Sequence, residues 1–251
     1  MSSRPGPRFL TLVLAGCFLL APPRDAASEA TPRFRPALVG HGPKSLVNLI
    51  DTQKLLAKGQ GDGVVMFDAA IESDDGGSVS WIWCHAAPGS EILKDEVTKE
   101  LRHASFVPAL IDGKEVGVTF YGTVIFSVRE GHPYLRVFAN QDRTALAEQS
   151  DLIQPQMLLD SEDWEAAKPL LEVVRMHART GHAVLSVTVE ANGKVRDIHL
   201  VREEPTRLNI GSAALKAYST AKFIPAFRNG KPVAHTFEQD WAVRGFRYRR
   251  W

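Results

Sequence analysis

Apolar and polar positions along the chain fall into one order, and the order occurs twice. Gly63–Glu72 reads GVVMFDAAIE and Gly181–Glu190 reads GHAVLSVTVE, two strand-like runs. Each meets a turn: Asp74-Asp75-Gly76-Gly77 in the first, Ala191-Asn192-Gly193 in the second. Asn-Gly between alternating apolar runs predicts a hairpin. A second strand follows in each, carried by Val79, Trp81 and Trp83, then by Val195, Ile198 and Leu200. Alternation places Trp81 and Trp83 on one face with Val79. That face is expected to pack on a helix, which makes the pair core; the other reading is an aromatic interface.

The period then changes to a helical one. Leu93, Val97, Leu101 and Ala104 recur every three or four residues behind Pro88-Gly89-Ser90, with Ser90 as the expected N-cap and Glu91 in the first turn. Ile210, Ala214, Ala217, Tyr218 and Ala221 give the second helix, over Leu208–Ala221. Further helical stretches, Ser45–Leu56 and Glu162–Arg175, precede the two runs.

Each helix closes on nearly the same phrase. ASFVPALIDGKEVGVTF, from Ala104, aligns without a gap with AKFIPAFRNGKPVAHTF, from Ala221, and nine of the 17 positions are identical at a spacing of 117. Pro108 and Pro225 cannot continue a helix. Phe106 and Phe223 are placed to fill the core beneath its end. Asp112-Gly113 and Asn229-Gly230 make a turn into a last strand, Val116–Ser127 and Val233–Phe246. Arg129–Ser161 links the copies, with a strand expected at Tyr134–Phe138 and a loop at Gln154-Pro155-Gln156. The fold class read from this is α+β: two tandem small domains, each an antiparallel sheet of about three strands on one helix, over 31–150 and 151–251.

The first thirty residues have the pattern of a secretory signal. Arg4 and Arg8 precede an apolar run, Phe9–Ala21, which Pro22 and Pro23 break; small residues follow at Ala26-Ala27-Ser28. Thirteen apolar residues are short for a span, which takes about 20. Leu14-Ala15-Gly16-Cys17 resembles a lipobox, so Cys17 is either a lipidation site or an apolar residue of the signal. Cys84 has no partner once the signal is removed, and reads as a small buried hydrophobe.

Net charge of +1 argues against nucleic acid as partner. Chemistry is equally sparse. The eight histidines have no zinc-site spacing; His177 and His182 straddle a helix end and a strand start. Asp74-Asp75 and Glu203-Glu204 lie in turns, and Gly89-Ser90 lacks the context of a nucleophile elbow. No catalytic constellation, metal set, cofactor motif or small-molecule pocket is read, so an enzyme is not expected. The tail Arg244–Trp251, RGFRYRRW, reads as a strand running into a solvated end, or as a contact for acidic lipid or a partner.

The ordered set GHAVLSVTVEANGKVRDIHLV, SAALKAYSTAKFIPAFRNGKPV and the ending Val243–Phe246 resembles the TonB C-terminal domain over roughly 181–246, with 63–126 as a divergent version. The resemblance implies a small α+β unit in the periplasm of Gram-negative bacteria, with a protein partner in the cell envelope such as an outer-membrane transporter. It also implies capture of a peptide by strand addition at a sheet edge. The edge expected here is Pro232–Ala242, with Val233, His235, Phe237, Gln239 and Trp241 as partner-binding positions; Pro232 suits an edge. Energy-transducing members also carry a transmembrane helix, a long Pro-rich spacer and a Tyr-Pro element. Here the apolar run is short and without His, only about 31–44 precede the first unit, and Pro169–Thr180 lacks Tyr-Pro. Two readings follow: a periplasmic binding or adaptor protein, or an energy-transducer component that couples an inner-membrane motor to outer-membrane transporters.

Overall fold

The computed structural model describes residues 32–73, 76–159, 180–206 and 209–244. The signal pattern with Cys17, the helix expected at Glu162–Arg175, and the tail beyond Arg244 lie outside them.

The chain opens with β1 (Phe34–Arg35), β2 (Leu38–Val39), and two short helices, α1 (Leu46–Leu49) and α2 (Thr52–Ala57). The main body of the first half follows: β3 (Gly63–Ile71), β4 (Val79–Ala86), α3 (Glu91–Leu101), β5 (Phe106–Val107), β6 (Ala109–Ile111), β7 (Lys114–Val116), β8 (Val118–Arg129) and β9 (His132–Phe138). A connecting helix α4 (Arg143–Glu148) and β10 (Gln156–Leu158) lead into the second half. There the order is β11 (Thr180–Val189), β12 (Val195–Glu204), α5 (Ile210–Ser219), β13 (Phe223–Ile224), β14 (Ala226–Arg228), β15 (Lys231–Val233) and β16 (His235–Arg244). The architecture is α+β with antiparallel sheets. The larger sheet has the order β13-β10-β8-β3-β4, with β9 also on β8; the second is β12-β11-β16.

Each sheet buries one face against a helix. Leu93, Val97 and Leu101 of α3 meet Val65, Phe67, Ala69 and Ile71 of β3 and Phe120, Val124 and Phe126 of β8. Ala214, Ala217 and Tyr218 of α5 meet Leu185, Val187 and Val189 of β11 and Phe237 of β16. Phe106 and Phe223 are both buried and stack edge-on against Phe120 and Phe237, with ring centroids 5.1 and 6.1 Å apart. Burying each such ring contributes about 1.5–3 kcal/mol.

Backbone details recur at offsets of 116 to 118 residues. Phe106 and Phe223 donate their N–H to the carbonyls of Gly77 and Gly193, both at 3.3 Å. These glycines have φ of +89° and +79°, and a Cβ on either would overlap the carbonyl oxygen of Phe106 or Phe223, so only glycine fits. Asp112-Gly113 and Asn229-Gly230 both hold positive φ at both residues, the requirement of a tight hairpin turn. The leading strands correspond as well. Leu38 and Val39 pair with Val107 and Phe106; Gln156 and Met157 pair with Ile224 and Phe223.

The two leading segments also meet each other. The buried Gln156 side chain accepts from the Ala37 N–H at 2.7 Å and donates to the Ala37 carbonyl at 2.9 Å. β10 pairs with β13 on one side and β8 on the other, so one strand belongs to both halves.

Four local expectations need correction. The stretch 45–56 is two helices, because Asp51 caps α2: its carboxylate accepts from the Lys54 N–H at 2.9 Å, which Asp does better at an N-terminus than inside a helix. Ser90 precedes α3, but its hydroxyl accepts from the Val64 N–H at 3.1 Å; Gln60 takes over the helix end, accepting from the Leu93 N–H at 2.8 Å. Gln156 belongs to a strand rather than a loop. Trp81 is 50% exposed. A register shift between Ala70 and Ile71 changes the phase of β4, so Val79, Ile82, Cys84 and Ala86 pack on the core and Trp81 and Trp83 take the opposite face.

Candidate partner-binding edge

β16 is built by the phrase that closes the second helix. Asn229-Gly230 reverses the chain through β14 and β15, and β16 then pairs with β11 from Val189↔His235 to Thr180↔Arg244 without a register shift. No strand pairs with its outer side among the described residues. Three other long strands end sheets among the described residues: β9 is regular but shorter, at seven residues, and the other two are irregular. β4 is shifted against β3; β12 is shifted twice against β11 and exposes Arg196, Asp197, His199 and Arg202. Bulges and charges of this kind blunt an edge. β16 is the long regular one.

The five positions expected to bind a partner alternate inward. Val233 lies in β15, half-buried against Ala226. His235 is 3.7 Å from the Asp142 carboxylate; burial pushes its pKa down against the pull of that carboxylate. The Phe237 ring is buried, 6.1 Å from that of Tyr121. Gln239 is buried and donates to the Asp68 carboxylate at 3.4 Å. Trp241 packs edge-on against Tyr218 at 6.1 Å. Three of these five thus reach residues of the first half or its connecting segment, and their intervening neighbours Thr236, Glu238 and Asp240 are the exposed ones.

Asp68 was not singled out by the sequence, although a lone carboxylate inside the apolar run GVVMFDAAI is a visible anomaly. Burial pushes its pKa up to about 6, against the amide donors Gln141, at 2.7 Å, and Gln239. Tyr121 is its cross-strand neighbour on β8 and bonds to the Tyr218 hydroxyl; burial raises both phenols. Asp68, Tyr121, Tyr218 and Gln239, with the half-buried Gln141, therefore form one polar group between the halves.

The main chain of β16 alternates oppositely to its side chains. In the first half, the two-residue turn Glu130-Gly131 makes Arg129 and His132 the closing pair of the β8–β9 hairpin. Arg129, Ser127, Ile125 and Thr123 then turn N–H and C=O towards β9. Their counterparts 117 residues on include Arg244, Ala242 and Asp240. The Thr188 and Thr236 hydroxyls, 2.9 Å apart, mark a close pair of the non-hydrogen-bonded kind, which turns Thr236 outward in the same phase. Thr236, Glu238, Asp240, Ala242 and Arg244 thus turn their hydrogen-bonding groups outward, and of these the Asp240 carbonyl already accepts from the Gln239 amide at 3.3 Å. Among the described residues no group of three or more His, Cys, Asp or Glu could hold a metal ion, and no helix is long and apolar enough to cross a membrane.

A three-stranded antiparallel sheet, one helix across it and an open last strand define a small sheet-and-helix module. Residues 172–242 match the family described as Gram-negative bacterial TonB protein C-terminal, so this stretch is a domain of that family. No curated protein matches the chain.

Proposed function

We propose that the protein is a periplasmic binding or adaptor protein whose second half captures a segment of an envelope protein by strand addition to β16. The first half is a divergent copy of the same domain that braces this edge from within. The observation that carries the reading is the contrast between β16 and its counterpart. β8 is covered by β9 along 123–129 and by β10 at 118–119, whereas β16, with 10 residues against 12, is unshifted and without a strand outside it among the described residues. Edge addition draws its affinity from main-chain hydrogen bonds, which asks nothing of catalytic side chains.

The test uses the alternation of β16. A photo-cross-linking residue at Glu238, exposed to solvent, should capture an envelope protein in living cells. Asp240→Pro removes an outward N–H and should abolish capture while the fold persists; Gln239→Pro removes an inward one and should unfold the second half. Capture that survives Asp240→Pro would rule out strand addition here. The mass of the mature protein sharpens the reading: a start at Glu29 or Thr31 gives a free periplasmic adaptor, and a start at Cys17 with acyl mass an anchored one.

A further inference from the structure

The partner's chemistry can be read from the strand that already occupies the equivalent edge. β9 lies antiparallel on β8, from Thr123↔Phe138 to Arg129↔His132. Leu135 and Val137 point to the helix side and join the core of the first half. Tyr134, Arg136 and Phe138 alternate onto the other face, where the Arg136 guanidinium lies 5.9 Å from the centre of the Phe138 ring.

We propose, resting on the strand-addition reading above, that β9 is the chain's own likeness of the strand that β16 recruits. The partner is an extended protein segment running antiparallel to β16. It carries aliphatic side chains at alternate positions and an aromatic–basic–aromatic series between them. The 117-residue offset gives its register. The counterpart of Thr123, Ile125 and Ser127, which face Phe138, Arg136 and Tyr134, is Asp240, Ala242 and Arg244. A basic residue in the place of Arg136 falls opposite Ala242 and diagonal to the exposed Asp240, with Glu238 two residues beyond. Diagonal neighbours on one face are within reach of a long side chain. Thr123, at this position in the first half, is buried and bonded to the Asn140 carbonyl at 2.7 Å; Asp240 in its place supplies charge that a basic strand complements. The aliphatic positions fall beside Trp241 and Val243, the counterparts of Val124 and Phe126.

The experiment transplants the strand. Residues 128–138 are joined after Arg244 in place of 245–251, so that the second half acquires its own β9. Amide exchange is read at Asp240 and Ala242, and the same chimera with Leu135→Pro in the transplanted copy serves as control. Exchange at both amides should slow by about tenfold or more, and the control should restore it. An Arg136→Glu version should slow exchange less, since it sets like charges on one face. Should the chimera fail to fold, the synthetic peptide of residues 131–139, added to the full chain, gives the same readout. If neither chimera nor peptide slows exchange while the Glu238 cross-link still forms in cells, this partner chemistry is wrong and strand addition stands. If the cross-link is absent as well, both fall.

Discussion

The last strands of the two halves, β8 and β16, share a phrase and a place in the fold, yet their surroundings are opposite. β8 is a central strand with β3 on one side and β9 and β10 on the other. Its second face is also covered: Thr119, Tyr121 and Thr123 are all buried. The counterparts in β16 are Thr236, Glu238 and Asp240, and all three are exposed. The same grammar therefore produces a sealed strand and an open one. What differs is the residue type on alternate positions and what the chain places alongside, not the hairpin, the helix or the turn. Folding instructions reside in the repeated phrase, and the positions between decide whether the strand is sealed or open.

The comparison can be broken most severely at the shared plugs. Phe106→Ala and Phe223→Ala should each cost about 3–5 kcal/mol, as for a buried aromatic cut to a methyl. Denaturant unfolding should show one transition for each, because β10 belongs to both halves. A variant that melts one half alone would show that the halves are independent.

Next comes the buried carboxylate Asp68, whose place in the second run is taken by Ser186. Asp68 ionises at about 6 in the fold against 3.8 when free. The fold therefore holds a proton that the unfolded chain has already released. The contribution of Asp68 to stability is fully present in acid and is lost as pH rises from about 4 through about 6, by about 3 kcal/mol at most. Asp68→Asn should flatten that limb in unfolding curves taken across the window. An unchanged slope would place the carboxylate in solvent.

The glycine pair is a finer probe of equivalence. Gly77→Ala and Gly193→Ala should each cost about 1–3 kcal/mol, since both hold positive φ beneath a phenylalanine carbonyl. Equal losses in melting temperature confirm the shared geometry; a neutral Gly77→Ala would show that the first half has relaxed it. The smallest effect is expected where the halves differ most. Glu238→Lys should change stability by less than about 0.5 kcal/mol, because the side chain is exposed.

Much of this was legible in the sequence because the two stretches that share a phrase report on each other. Nine identities at one spacing located the helix ends, the plugs and both Gly-containing turns, and each is a local signal. The expected strand at Tyr134–Phe138 is present as β9. The errors lie where distant residues decide. The phase of Trp81 depends on a bulge against β3, and the helix end at α3 on Gln60 thirty residues away. The candidate site shows the same division. The alternation of β16 was readable, but which phase turns inward was not, because Phe237 and Gln239 are buried in part by Tyr121 and Asp68. Side chains that would be solvated on an isolated unit become interior when a second unit leans on them.

The charges on β16 have one more consequence, for assembly rather than binding. A face of the first half receives the second half, and the second half presents the equivalent face at its own sheet. A contact of that type is heterologous: repeated from chain to chain, it would grow an open head-to-tail filament. Glu238 and Asp240 stand where the docking face has Tyr121 and Thr123, so a further half would have to bury two unpaired carboxylates to continue the stack. Polar caps on repeat proteins discourage further stacking in the same way.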